Sequence, residues 1–427
     1  MDTAITAVRG RRVWDSRGRP TVEAEVTLAG GHRGRAIAPA GASRGSREAI
    51  DLRDGGARFG GLDVTQAIAN VHGAIAAALR GLDAADQAGV DAALIAADGT
   101  PNKARLGGNA TVAVSLAVAH AAAVARGVPL WRHLAGEAPV ALPLPEIQVF
   151  GGGAHAGRRI DIQDLMVIAT GAASFGEALA MTAEVYRAAG ALMAEAGLAM
   201  GVADEGGYWP AFESNEDALA MLARAIERAG YRPGEEVAIS LDIAASEFGR
   251  GGRYRLGLEQ RELDRDGLAA LLLGWLERYP IVSIEDPFGE DDRDGWIAFA
   301  RAAGSRVQII GDDYLTTSAE RVAAAAADRA CNAVLIKPNQ AGTLTEALAA
   351  LRAGKAAKFG TIVSARSGET EDVSIVDLAV GWNAGQLKVG SFSRSERMAK
   401  WNEALRIEEA LGAGARFAGA AALARNR

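Results

Sequence analysis

Cysteine is almost missing from this chain: of 427 residues only Cys331 is one. A lone thiol cannot close an internal disulfide, so nothing here argues for an oxidising compartment. In "DRACNAVLIKP" it reads as a small buried apolar residue ahead of a strand. Positive charge is not in excess either. Lys and Arg number 46 against 53 Asp and Glu, for a net charge of −7. That argues against a nucleic-acid binder held by a basic surface. It leaves open an anionic small substrate, which is gripped by local charge. The N-terminus, "MDTAITAVRGRRVWDSRG", lacks an apolar run fit for a signal peptide. The Ala-rich pieces elsewhere are punctuated by Arg, Asp and Glu, so no membrane-spanning helix and no membrane partner are expected. A cytoplasmic location follows as the default.

What is present is length and rhythm. A chain of 427 residues is too long for one average domain, and a barrel of parallel strands can use more than half of it. Near the start, "TVEAEVTLAG" alternates as a strand with one wet face. A Gly-rich loop, "APAGASRGSREA", follows, and then helical patterns such as "VTQAIANVHGAIAAALRG" and "TVAVSLAVAHAAAVARG". This order suits an α+β domain. "GEAPVALPLPE", with three prolines, reads as a linker, which divides the chain into residues 1–137 and 138–427.

Beyond the linker, short β-branched runs end in polar residues. "VAISLD" ends at Asp242, "PIVSIE" at Glu285, "VQIIGD" at Asp312, "AVLIK" at Lys337, "TIVS" at Ser364 and "QLK" at Lys388. The steps are 43, 27, 25, 27 and 24 residues. Helical stretches such as "GLAALLLGWLERY" and "TLTEALAALRAG" fill the gaps. A strand, a helix and two loops need about that much chain, and a series of them makes a β/α barrel. The fold class expected is therefore α/β: a C-terminal β/α barrel preceded by an N-terminal α+β domain. The order of the strands is not legible from the spacing.

In such a barrel the carboxyl ends of the strands meet on one face. Asp242, Glu285 and Asp312 would converge there, and three carboxylates crowded together repel one another. A hard divalent cation resolves the conflict, and all-oxygen ligands favour Mg²⁺ over zinc. Lys337 and Lys388 end strands on the same face. Nearby positive charge disfavours ammonium, so such a lysine can be drawn toward neutrality and act as a base. Lysine beside Mg²⁺ is an established device for taking a proton next to a carboxylate.

Several stretches together resemble the enolase family over almost the full length. They include "DSRGRPTVEAEV", "GASRGSREAIDLRDG", "GGGAHAG", "ADEGGYWP", "LDIAASEF", "SIEDPFGEDD", "GDDYLTT", "IKPNQAGTLTEA", "ARSGETED" and "RSERMAKWNEALRIEE". The resemblance implies Mg²⁺-dependent removal of water from 2-phosphoglycerate to give phosphoenolpyruvate, a glycolytic hydro-lyase step. It implies Asp242, Glu285 and Asp312 as metal ligands, with Ser43 meeting a second Mg²⁺ when its loop closes. Lys337 matches the base, and Lys388 the lysine that grips the substrate carboxylate. Glu205 matches the acid that helps the hydroxyl leave, with Asp164 and His155 beside it. Arg366 and Ser367 match the phosphate-binding groups, and the family pairs as homodimers or higher oligomers.

The chain also departs from the family pattern. Ala365 stands where enolases carry His, Asp164 where they carry Glu, and Gly151 where they carry Asn. All three lie on the Glu205 side, and they are expected to enlarge the pocket beside the leaving group. Three readings remain open. One is phosphopyruvate hydratase itself. Another is an enolase-like biosynthetic enzyme such as carboxyphosphonoenolpyruvate synthase, with a bulkier phosphonate substrate. The third is a non-catalytic structural protein on the same scaffold.

Overall fold

A computed structural model describes residues 2–424. The chain begins with a three-stranded antiparallel sheet of β1 (Ile5–Trp14), β2 (Pro20–Leu28) and β3 (Arg33–Ile37), with β2 in the middle. The alternation expected of β2 has the right phase, but its polar face is not wet. Glu23 is buried, because Arg11 from β1 and Arg35 from β3 fold over it as ion partners. The central position of β2 makes this possible, since cross-strand neighbours on both sides reach its face.

The helix Gly108–Arg126 packs on this sheet. It is the one element that contradicts the expectation of no span-like segment. Among the described residues it alone is long and apolar enough to cross a membrane by length and composition. However, 89% of that window is buried inside the fold. Ala and Val on every side let it sit close against neighbours all round, as a core helix does.

The barrel opens earlier than the proline-rich stretch suggested. Leu144–Gly151 is already its first strand, β4, so the last residues of "GEAPVALPLPE" belong to the sheet. Pro145 is accommodated in β4, where it stands opposite Leu387. Next come β5 (Asp164–Ile168), a hairpin of β6 (Ala199–Val202) and β7 (Tyr208–Pro210), and β8 (Ala238–Asp242). A small separate sheet follows, made of β9 (Gly249–Arg250), β10 (Arg253–Leu256) and β11 (Arg261–Asp264). The remaining barrel strands are β12 (Ile281–Glu285), β13 (Gln308–Gly311), β14 (Ala333–Ile336), β15 (Gly360–Ser364) and β16 (Gly385–Ser391). The ring runs β4-β5-β8-β12-β13-β14-β15-β16 and closes where β16 pairs with β4.

One strand runs backwards. β5 is antiparallel to both β4 and β8, whereas the other ring pairings are parallel. Its first residue, Asp164, therefore pairs with the last residue of β8, Asp242. The beginning of β5 thus delivers a side chain to the face where its neighbours end. The floor of the barrel is polar and closed from below. Gln308 bonds Ser283 and Gln386, Ala424 N donates to Gln308 Oε1 at 3.1 Å, and Gln386 Nε2 donates to the carbonyl of Ala422 at 3.0 Å.

Candidate active site at the carboxyl face of the barrel

Asp242 and Glu285 end β8 and β12 and lie opposite each other in register. Asp312 and Lys337 are the residues just after β13 and β14. Lys388 does not end its strand as expected; it lies in the middle of β16. The ladder between β16 and β4 slips just after it, between Lys388 and Gly390. Gly390 takes φ +114°, and a Cβ there would stand 3.0 Å from the Glu205 carbonyl. The irregularity lets β16 continue past the face while Lys388 still points into it.

Lys388 is the hub. Its Nζ lies 2.9 Å from Asp242, 2.8 Å from Glu285 and 3.3 Å from Asp164. Burial pushes its pKa down, but these carboxylates outweigh burial and hold the ammonium well above the ordinary lysine range. Three acids to one cation leave negative charge in excess. Burial and then the neighbouring Asp242 drive Glu285 well above the usual carboxyl range. Its Oε1 is buried and has no hydrogen-bond partner.

Lys337 bonds Asp312, the ion pair lying wholly inside. Burial pulls the pKa of Lys337 down, yet Asp312 outweighs burial and raises it. The three expected ligands are not turned onto one point: Asp242 and Glu285 share Lys388, while Asp312 turns to Lys337. Among the described residues, three or more ligand atoms within 4.8 Å of one another occur instead in two sets, Asp286–Asp312–Asp313 and His155–Asp164–Glu205. Asp286 braces the turn, accepting the backbone N–H of Asp312 and Asp313 at 2.9 and 2.8 Å. The donor set Asp242, Glu285 and Asp312 nonetheless fits a hard cation. It is all oxygen, it carries surplus charge, and it includes the orphaned Oε1 of Glu285.

On the other flank, His155 joins three of the expected residues. Its Nδ1 lies 3.2 Å from Asp164, its Nε2 is 3.2 Å from the Ser367 hydroxyl and 3.8 Å from Glu205. Burial lowers the imidazole pKa, but Glu205 and Asp164 outweigh it and raise it. Asp164 is held well below the carboxyl range despite burial, by Lys388 and then His155. Asp164 also accepts from Gln148. Arg366 makes a two-point ion pair with Glu48, at 2.9 and 3.1 Å, and donates to the Ser43 carbonyl at 3.0 Å.

A tight cavity of about 10 Å³ joins both flanks, lined by Ser43, His155, Asp164, Glu205, Asp242, Lys337, Ala365, Arg366, Ser367 and Lys388. Of the expected residues only Glu285 and Asp312 do not face it. Two of the three departures can be placed against this cavity. Ala365 does line the space, but Gly151 does not open it. A Cβ on Gly151 would lie 2.6 Å from the methyl of Ala203, which fills that position.

Four residues of the site went unnoticed in the sequence. Glu48, Gln148 and Gln163 reach Arg366, Asp164 and Asp242 respectively. Glu146 lies opposite Lys388 on β4, fully buried, and burial raises its pKa to about 7. The run "PEIQVF" held the signal for Glu146 and Gln148: polar residues alternating inside an apolar strand.

The sequence also matches known proteins. Residues 5–134 match the family described as "Enolase, N-terminal domain", and residues 139–426 match "Enolase, C-terminal TIM barrel domain". The chain is 48% identical over 418 residues to a protein named "Enolase" from Rubrobacter xylanophilus, covering 98% of this chain and 97% of that one. A closed eight-strand barrel with lysines and carboxylates gathered at one face, and likeness to enolases along almost all of its length, lead to one conclusion: the chain belongs to the enolase family of hydro-lyases.

Proposed function

We propose that the protein removes water from 2-phosphoglycerate to give phosphoenolpyruvate, as a Mg²⁺-dependent, cytoplasmic glycolytic enzyme that works as a homodimer. The observation that carries this reading is the pairing of two buried lysines with a carboxylate cluster beside Arg366 and Ser367 in one cavity. Asp242, Glu285 and Asp312 would hold Mg²⁺, with Ser43 at a second ion. The ion, when bound, supplies positive charge to the substrate carboxylate as its α-proton leaves. We take residues 1–137 and 138–427 as the two domains.

In this reading Lys337 removes the α-proton. It can do so once its carboxylate partner Asp312 is engaged elsewhere, because burial alone lowers the pKa of an ammonium. Lys388 is kept cationic by its neighbours and orients the substrate carboxylate. Arg366 offers guanidinium donors to the phosphate, and the Ser367 hydroxyl stands next to it. Glu205, with His155 and Asp164 behind it, passes a proton to the departing β-hydroxyl. This is the flank on which the chain departs from its family.

The test separates the two halves of the reaction. In deuterated water with Mg²⁺ and 2-phosphoglycerate, α-hydrogen exchange should outrun formation of phosphoenolpyruvate, and Lys337→Ala should abolish both. Equal rates at full turnover mean that Ala365 and Asp164 are silent. No exchange at all removes 2-phosphoglycerate as the substrate. The second reading, a phosphonate-bearing substrate for the same base, then takes its place.

A further inference from the structure

Gln340 has no part in the roles assigned above, yet it is buried at 2% exposure between the two halves of the molecule. It sits on the single helical turn Pro338–Ala341, directly after Lys337. Its Nε2 donates to Asp312 Oδ1 at 2.8 Å and to Glu48 Oε1 at 3.3 Å. Its Oε1 accepts from the Thr317 hydroxyl at 2.6 Å, and that hydroxyl accepts the backbone N–H of Lys337 at 3.0 Å. Its carbonyl accepts the N–H of Ala49 at 2.8 Å. One residue thus holds the base segment, the carboxylate paired with the base, and the end of the loop that carries Ser43.

Glu48 completes the connection. Besides the two-point pair with Arg366, its Oε1 accepts the N–H of Gly45 at 3.0 Å. Three of the five N–H groups of the Arg366 guanidinium are therefore engaged by the loop. Glu48, Gln340 and Arg366 are buried, so while the loop is docked these contacts are made without competition from water.

We infer that Gln340 is a positioning residue: it ties the docked state of loop 41–48, latched by Glu48 on Arg366, to the placement of Asp312 and Lys337. The chemistry follows from the donor count. With the loop docked, Gln340 pulls on Asp312 Oδ1 and leaves Oδ2 to Lys337. With the loop lifted, Nε2 loses one of its two acceptors and the amide is free to rotate away from Asp312. The base is then held in place only when Arg366 is also braced to meet an anion. This rests on the assignment of Lys337 as base, but the latch itself does not.

Two readouts test it on the full-length protein. Arg44 and Arg47 are exposed on the loop and are open to trypsin whenever it lifts. Cleavage after Arg44 or Arg47, followed by mass spectrometry, should speed up by about tenfold or more in both Glu48→Gln and Gln340→Met, the expected effect of losing a hydrogen bond to a charged group. The rate of α-hydrogen exchange on 2-phosphoglycerate should fall by a similar factor in each. The double variant should be no worse than the worse single one, since both break one chain of contacts. Glu48→Asp should recover part of the loss if orientation of Arg366 is what matters. Unchanged proteolysis in Glu48→Gln overturns the latch. Effects that multiply in the double variant overturn the link through Gln340. Failure of exchange in the unaltered protein would refute the substrate instead, and the proteolysis comparison would still decide the latch. Melting temperatures close to the parent exclude general unfolding as the cause.

Discussion

Gly151 and Ala203 show why a substitution should be read with its neighbour. The methyl of Ala203 stands where a side chain on residue 151 would begin. Gly151→Asn alone should therefore destabilise the protein by roughly 1–3 kcal/mol through overpacking. The same change in an Ala203→Gly background should be nearly neutral, giving a coupling between the two sites in urea denaturation. Additive losses would mean that the backbone yields instead. Lys388 supplies the second case. It is the shared cation of Asp242, Glu285 and Asp164. Lys388→Met leaves these buried charges uncompensated, so stability in chelator should fall by roughly 3–5 kcal/mol. Added Mg²⁺ should restore part of the loss, because a bound cation replaces the missing charge. A variant as stable as its parent in chelator would show that the carboxylates take up protons at little cost.

Among the elements, the junction between the helices Leu130–Ala135 and Ser374–Gly381 carries a titration. Asp377 accepts the backbone N–H of Trp131 at 3.0 Å. Burial, aided by Glu403 and Asp372 and opposed by that hydrogen bond, raises its pKa from 3.8 to about 7. A carboxyl whose pKa rises on folding holds its proton more tightly in the folded state. Its contribution is complete below pH 3.8 and is lost as pH climbs through about 7. Asp377→Asn keeps an acceptor for Trp131 and removes the titration. It should leave the melting temperature near the parent at about pH 3.5 and raise it at pH 8, by on the order of 1 kcal/mol or more in stability. An equal shift at both pH values would assign the effect to packing.

The elements also mark where reading the sequence stops. β8, β12, β13, β14 and β15 were legible because each is a short β-branched run that closes on a polar residue. β5 was not, since direction leaves no trace in a five-residue run, and its site residue comes first rather than last. Lys388 was misplaced for a related reason. A strand that slips register beyond its functional residue looks, in sequence, like one that stops there. The carboxylates and lysines were legible as types at strand ends. Their partition into Lys388 with three acids and Lys337 with one depends on distances that no spacing encodes.

Across the whole molecule, buried contacts stitch the N-terminal sheet and its helices to the barrel. Glu48 meets Arg366, Asp91 accepts from the backbone and hydroxyl of Thr345, Lys103 pairs with Glu346, and Ile37 N bonds Asp372. Such an interface should make the two units melt together. Calorimetry on the full chain is expected to give one transition, moved upward by Mg²⁺. Two resolved transitions would mean that the interface contributes little. The closure of the ring through β16 and β4 bears on how the protein is made. While the chain emerges from the ribosome, β4 has β5 along one side and on the other only the short pairing of Phe150 with Tyr208 of β7, so the half-built ring is a curved sheet with two largely bare edges. Every strand added moves that open edge without removing it. Until β16 appears and residues 420–424 reach the polar floor, the nascent chain presents the kind of edge that pairs with other chains. The interval between the first and last barrel strands is therefore when this protein depends most on chaperones, and a slow stretch of translation placed there should raise aggregation more than one placed earlier.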